Sequence, residues 1–144
     1  MKFPHIAEAS IEIEAKRSRV WEALTKPELV KQYFFGVELV TDWHEGHPII
    51  YKGEWDGRTF EEKGVVLRFI PEVLIVSTYR SSASILPDEP ENYNVVTYKL
   101  EESKGKTKVT VTQENIESQE SADHSKKNWE GVLEGLKKLL ESKF

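Results

Sequence analysis

Residues 37–115 constrain the fold most, because they alternate short β-branched and aromatic runs with turn signals. Runs of this kind, separated by turns, are typical of antiparallel strands. Asp56-Gly57 is the strongest hairpin signal, since both residues tolerate the left-handed backbone of a two-residue turn. The short connections are predicted at 42–48, 56–57, 71–72 and 103–106, with a longer loop at 80–92. The segment therefore predicts six consecutive antiparallel strands.

Two further segments frame these six strands. Residues 7–15 alternate alanine and isoleucine with polar side chains, which is the period of a half-buried strand. Residues 118–144 place tryptophan, valine and leucine in one angular sector and charges opposite, which predicts a long amphipathic helix. Gly131 and Gly135 fall on its outer side, where each is expected to cost about 1 kcal/mol relative to alanine.

Two short helices are predicted between the first strand and the other six. Ser18 stands where an N-cap residue is expected, and Thr25 followed by Pro27 starts the second helix. Gly36 ends that helix, because glycine readily adopts the left-handed conformation common at helix ends. The order of elements predicts an α+β fold, in which a curved antiparallel sheet wraps around the long C-terminal helix.

Composition narrows the class of protein further. The chain has 144 residues, 38% of them hydrophobic, which predicts a single domain over 1–144 with a sizeable core. Lys plus Arg number 20 and Asp plus Glu 25, interspersed along the chain, which argues against nucleic-acid binding. No apolar run approaches the roughly 20 residues that span a bilayer, and the first residues lack the apolar run of a secretory signal. A cytoplasmic protein without a membrane span is therefore expected.

The alternation of charged and uncharged residues along the strands predicts which side chains face the helix. Gln113 and Asn115 fall on this apolar face, where an amide needs a partner from the backbone, water or a ligand. The residues expected to face inward are Ile49, Tyr51, Gly53, Trp55, Leu67, Phe69, Tyr79, Val96, Tyr98, Leu100, Val109, Val111, Gln113 and Asn115.

A curved sheet around one helix leaves a concavity, which is filled either by large side chains or by a ligand. Tyrosine hydroxyls are suited to orient a ligand there, although ordinary core packing is the alternative for each aromatic residue. His124, near the start of the last helix, either reaches the cavity mouth or faces solvent. The loop at 80–92 is expected to gate the cavity. The predicted ligand-binding residues are Tyr33, Trp43, Tyr51, Trp55, Phe69, Tyr79, Tyr98, Gln113, Asn115, His124 and Trp129.

The sequence predicts no catalytic residue, metal site or cofactor. The histidines at 44 and 47 lie in a turn and lack the i,i+4 spacing of a zinc-protease helix, so a solvated turn is expected. The chain has no cysteine and no Gly-x-Ser-x-Gly nucleophile elbow. Residues 61–63 are interpreted as a solvated strand end.

A family resemblance rests on several segments in a fixed order. They are 20–29, 64–67 leading to Pro71, 96–100, 105–113, and Asn128-Trp129 with Leu133, Leu136 and Leu140. Together they resemble the family homologous to the C-terminal domain of the activator of the 90-kilodalton heat-shock protein ATPase, within the START-like or birch-pollen-allergen superfamily. The resemblance implies a helix-grip fold over nearly the whole chain. It also implies that relatives bind lipids, hormones or polyketides, and that some of them cyclise or hydrolyse these molecules.

Three functions follow as hypotheses. The leading one is a domain that binds a small apolar or amphipathic ligand between the terminal helix and the sheet. The second is a module that binds a chaperone, by analogy with the heat-shock activator; that protein carries an additional N-terminal domain for which 144 residues leave no room. The third is an enzyme of cyclase or hydrolase type that uses the same cavity. The oligomeric state stays open.

Overall fold

The computed structural model describes residues 2–55, 57–82 and 84–142, and at Trp55 the backbone alone. The predicted turn residue Asp56 and the side chain of Trp55 lie outside this description. The elements in chain order are β1 (His5–Ile13), α1 (Arg17–Thr25), α2 (Pro27–Tyr33), β2 (Glu38–Thr41), β3 (Pro48–Trp55), β4 (Arg58–Ile70), β5 (Leu74–Ser81), a short 3-10 helix (Pro90–Asn92), β6 (Asn94–Ser103), β7 (Lys106–Ile116) and α3 (Gln119–Glu141).

The seven strands form one antiparallel sheet in the order β1-β7-β6-β5-β4-β3-β2. This confirms the α+β architecture with two short helices after the first strand. The predicted alternation of β1 is also confirmed, because Ala7, Ala9 and Ile13 are buried while Glu8 and Glu12 face solvent. None of the described helices is long and apolar enough to cross a membrane.

The ends of the first two helices differ from the prediction. Ser18 lies inside α1, which begins one residue earlier, and Lys16 occupies the N-cap position without a side-chain bond. The hydroxyl of Thr25 donates to the carbonyl of Trp21 at 2.8 Å and therefore does not cap α2. Pro27 does begin α2, as predicted, and Gly36 after it has φ of +68°.

A β-bulge in β4 overturns the predicted inward position of Leu67. The pairing with β5 shifts between Val66 and Arg68, so that Leu67 is an extra residue in β4. An extra residue exchanges the two faces of a strand. Val66 is therefore fully buried, Leu67 is 44% exposed, and Phe69 returns to the inner face.

Helix α3 begins where the sequence predicts, with Ser118 as its N-cap. The Ser118 hydroxyl accepts a hydrogen bond from the backbone N–H of Ser121 at 3.1 Å. The helix packs mainly against β1, at one edge of the sheet, and leaves the inner faces of β4 and β5 less covered. Its buried face consists of Ala122, Trp129, Val132, Leu133, Leu136 and Leu140.

The two glycines of α3 have different surroundings. Gly135 does not lie on the outer side, because a Cβ atom there would approach the carbonyl oxygen of Tyr33 in α2 to 3.2 Å. The missing side chain thus lets α2 pack closely on α3. Gly131 is exposed with open space around it, and nothing in the structure explains it.

Candidate functional site

Aromatic side chains fill much of the space between the helices and the sheet. Phe34 stacks on Tyr51 with ring centroids 5.4 Å apart, and Trp43 stacks on Phe69 at 5.3 Å. Trp129 meets the Phe34 ring edge-on at 5.9 Å, a geometry that favours aromatic pairs. This part of the predicted cavity is therefore a packed core.

A small inner space remains among these rings. Its volume is about 20 Å³, which is room for one water-sized group. Five aromatic side chains contribute to its wall, together with Glu62 and Ser77. The five are Phe34, Tyr51, Tyr79, Tyr98 and Trp129.

Glu62 is the functional candidate that the sequence analysis missed. Its carboxylate lies on the inner face of β4 and accepts a hydrogen bond from the hydroxyl of Tyr79. Burial raises the pKa of Glu62, and the bond from Tyr79 opposes part of that rise. The interpretation of 61–63 as a solvated strand end therefore fails at residue 62. The charge run 61–63 does not reveal that the pairing of β4 with β5 places Glu62 on the same face as the buried Val66.

An open groove of about 930 Å³ lies on the other side of the Glu62–Tyr79 pair. We call it the α3 groove. Residues from the stretch 79–94 form one wall, residues from the stretch 113–128 form the other, and Glu62 lies between them. The volume falls within the range of about 300–1,000 Å³ that is typical of small-molecule sites. Glu62 and Tyr79 line both the α3 groove and the inner space.

The loop wall of the groove is held by one acidic side chain. Asp88 accepts from Lys63 at 2.6 Å and from the Tyr93 hydroxyl at 2.6 Å, and its carboxylate lies 3.9 Å from the Arg80 guanidinium. The hydrogen bond from Lys63 and, to a smaller extent, the one from Tyr93 lower the pKa of Asp88. Arg80 also donates to the carbonyl of Leu86 at 3.1 Å. The predicted gating loop is thus tied back to β4 and β5.

Protein groups satisfy the two inward amides of β7. Gln113 donates to the Asn94 side chain at 2.7 Å and accepts from the indole N–H of Trp129 at 2.8 Å. The Asn115 amide donates to the carbonyls of Glu91 and Tyr93, at 2.9 and 2.8 Å. These bonds fix the base of the loop wall, and both amides still line the α3 groove.

The structure divides the predicted ligand-binding residues into groups. Tyr79, Gln113, Asn115 and His124 line the α3 groove, and Tyr51, Tyr79, Tyr98 and Trp129 line the inner space. Tyr33, Trp43 and Phe69 belong to neither. The hydroxyl of Tyr33 donates to the carbonyl of Ala23 at 2.7 Å, and the indole of Trp43 donates to that of Thr25 at 3.0 Å.

Polar residues of the groove were the hardest to predict. Arg80 and Asn94 line it beside Glu62, yet neither stands in a sequence motif, and Asn128 stands only in a segment of the family resemblance. They come together because the stretches 79–94 and 113–128 line the same groove. The only usable signal was the length of the loop at 80–92.

The turn between β2 and β3 is exposed, as predicted. Asp42 accepts from the backbone N–H of His44 at 2.9 Å and pairs with the His47 ring at 2.7 Å. The hydrogen bond from the His44 backbone and, to a smaller extent, the one from the His47 ring lower the pKa of Asp42. The donor atoms of these three side chains lie within 4.8 Å of one another, on the outside of the molecule.

A sequence profile identifies the family. The profile described as "Activator of Hsp90 ATPase homolog 1-like protein" matches residues 14–141. The chain belongs to this family. The membership confirms the resemblance stated from the sequence segments. No curated protein matches the chain.

Solved structures share the fold of this family member. The protein ChR145 from Cytophaga hutchinsonii is 43% identical, with a TM-score of 0.82 over 98% of this chain and 97% of its own. The Aha1 dimer from Colwellia psychrerythraea is 21% identical, with a TM-score of 0.75 over 95% and 96%. Protein MLL2253 from Mesorhizobium loti is 20% identical, with a TM-score of 0.77 over 95% and 97%. The last two likenesses concern the fold alone.

We expect Glu62→Gln to change how stability depends on pH. The glutamine side chain can still accept from Tyr79 but removes the half-buried charge. Because burial raises the pKa of Glu62 in the folded state, the wild type loses stability as pH rises from the ordinary glutamate range through that raised pKa. The variant should match the wild type at low pH, where Glu62 is protonated, and exceed it at neutral pH. Thermal unfolding at several pH values measures this, and a variant less stable than wild type at neutral pH contradicts it.

Proposed function

We propose that this chain binds a small amphipathic molecule in the α3 groove. The observation that carries the proposal is that two unlike spaces share the Glu62–Tyr79 pair in their walls. They are a polar groove of about 930 Å³ and an aromatic inner space of about 20 Å³. Ligand sites characteristically combine aromatic walls with a few convergent polar groups. The ligand is amphipathic because the α3 groove is lined by the polar side chains of Arg80, Asn94 and His124 as well as by apolar carbon atoms.

The fixed walls of the groove support the same proposal. Asp88 anchors the loop wall, and the amides of Gln113 and Asn115 are held by protein partners. A wall that is already ordered loses little conformational freedom when a ligand binds. The ligand then fits between the two preformed walls of the α3 groove. Glu62 lines both this groove and the inner space with its aromatic rings.

Filling the groove should abolish binding. Ser125 lines the groove from α3, and its neighbour Lys126 is exposed on the same helix outside the lining. We expect Ser125→Trp to weaken binding of the neutral probe N-phenyl-1-naphthylamine at least tenfold, as a change of about 1.4 kcal/mol implies. Lys126→Trp is the matched control and should bind like the wild type. Probe fluorescence measures both, with circular dichroism confirming the folds. Equal affinity in both variants, or no binding by wild type, would overturn the proposal.

Acid-base catalysis is a second candidate function, favoured by Glu62 itself. A half-buried carboxyl with a raised pKa beside a tyrosine hydroxyl is typical of acid-base sites. A hydrolase or cyclase of this kind would bind its substrate in the same groove. Turnover that disappears in Glu62→Gln while probe binding persists would favour catalysis over binding alone.

Two predictions rest on the family and the sequence alone. Chaperone binding stays a prediction, because the family is described by its likeness to an activator of the Hsp90 ATPase. Co-purification with a purified Hsp90-type chaperone would test it, and the absence of a complex at micromolar concentrations would count against it. The cytoplasmic location likewise stays a prediction, to be tested by cell fractionation.

A further inference from the structure

The half-buried Glu62 lacks the cationic partner that a carboxylate removed from water ordinarily has. Among the described residues, no lysine, arginine or histidine forms an ion pair with it. The two nearest basic residues along the strand pair, Lys63 and Arg80, both turn toward Asp88, at 2.6 and 3.9 Å. Within the described part of the chain, Glu62 accepts a side-chain hydrogen bond from Tyr79 alone, which leaves most of its acceptor capacity unused. Buried charges are usually paired, since an unpaired one is costly.

The surroundings of Glu62 favour a positive charge. The inner space beside it is bordered by the rings of Phe34, Tyr51, Tyr98 and Trp129. Lys63 also lines this space, but its ammonium is paired with Asp88 at 2.6 Å. Aromatic faces attract cations, and a carboxylate among such rings is the composition of an ammonium-binding cage. At about 20 Å³ the space admits a water-sized group, which is the size of a primary ammonium head.

The α3 groove adds to this preference. Its lining carries four carboxylates against two permanently basic side chains, Arg80 and Lys127. Arg80 is already engaged by Asp88 and by the Leu86 carbonyl. The groove is therefore acidic overall, and it steers cations toward Glu62. The four carboxylates are Glu62, Glu117, Glu120 and Asp123.

We infer that the ligand of this protein is a primary amine, whose ammonium head pairs with the Glu62 carboxylate while its body lies in the α3 groove. This inference deepens the proposed function and rests on it. The ammonium supplies the charge that Glu62 lacks and donates to the carboxylate oxygens left free by Tyr79. A neutral molecule of the same shape gains neither interaction.

A matched pair of probes tests the inference. 2-Phenylethylamine and 2-phenylethanol differ in the ammonium and hydroxyl head groups, and amide NMR shifts report the binding of each to the whole chain. At pH 7.5 the amine should bind the wild type at least tenfold more tightly than the alcohol. In Glu62→Gln this preference should fall to within twofold. Glu61→Gln, an equal charge change at an exposed neighbour outside the groove lining, should keep the wild-type preference.

A second variant keeps the inference falsifiable if Glu62→Gln does not fold. Tyr79→Phe removes the competing hydrogen bond and leaves the carboxylate, so it should keep or increase the preference for the amine. Equal affinities of amine and alcohol in the wild type, with shifts confined to the groove, would overturn the ammonium assignment and leave the groove as a binding site. A preference that survives in Glu62→Gln would also overturn it. If neither probe shifts groove residues, the proposed function fails as well.

Discussion

Gly64→Ala should destabilise the protein by about 3 kcal/mol or more, the upper end of what overpacking costs. A Cβ atom at this position would lie 1.8 Å from the carbonyl oxygen of Thr78 and 2.5 Å from its carbonyl carbon. Both are backbone atoms, so no rotamer change relieves the contact, and β4 must move away from β5. Chemical denaturation of the purified variant measures the loss.

Gly64→Ala should also disturb the α3 groove, because the close approach of β4 and β5 brings Glu62 next to Tyr79. Gly131→Ala is the matched control. It lies on the exposed face of α3 with open space around it, so alanine should leave stability unchanged or raise it by up to about 1 kcal/mol. A Gly64→Ala variant as stable as the control would show that the strands are not held at this distance.

Trp129→Ala should cost about 3–5 kcal/mol, the usual effect of truncating a buried tryptophan. Trp129 is 8% exposed and packs edge-on against Phe34 and Tyr98. It also donates its indole N–H to Gln113 at 2.8 Å. The alanine variant therefore loses packing and leaves a polar acceptor without its partner.

Trp129→Phe separates these two contributions. The phenyl ring keeps part of the packing against Tyr98 but cannot donate to Gln113. Leaving a buried acceptor unsatisfied costs about 1–3 kcal/mol, so this variant should fall between the wild type and Trp129→Ala. Denaturant unfolding of both variants measures the order, and a phenylalanine variant equal to wild type would show that the Gln113 bond contributes nothing.

Much of the fold was predictable because local chemistry and burial agree along most of the chain. The alternation of Ala7, Ala9 and Ile13 predicted β1, and the apolar sector of 118–144 predicted α3 with its buried Trp129. Residues that favour turns predicted the connections between the six consecutive antiparallel strands. In these segments the period of the pattern matches the element that the tertiary structure requires.

The errors have local structural causes. One extra residue at Leu67 exchanged the faces of β4, and a sequence does not reveal a bulge that is set by pairing with β5. Glu62 was missed for another reason, because it stands in the charge run 61–63, which is typical of a solvated segment, although it lines the groove. Gly135 was placed outside because helical period alone does not show that α2 packs there.

The candidate site was predictable only in part. Aromatic residues on inward faces identified the core, and four of them line the inner space. Trp43 and Phe69 instead stack on each other 5.3 Å apart, away from it. The groove itself depends on Asp88 holding the long loop against Lys63, a contact across 25 residues for which the sequence carries no motif.

The most direct test of ligand binding in the α3 groove is to map which residues of the whole chain a ligand contacts. In a ¹⁵N NMR titration with 2-phenylethanol, we expect amide shift changes concentrated in 79–94 and 113–128, with weaker changes near Glu62. The exposed turn at 42–48 should not respond. Changes centred on that turn or on the outer face of the sheet, or no changes at millimolar probe, would contradict the α3 groove as the binding site.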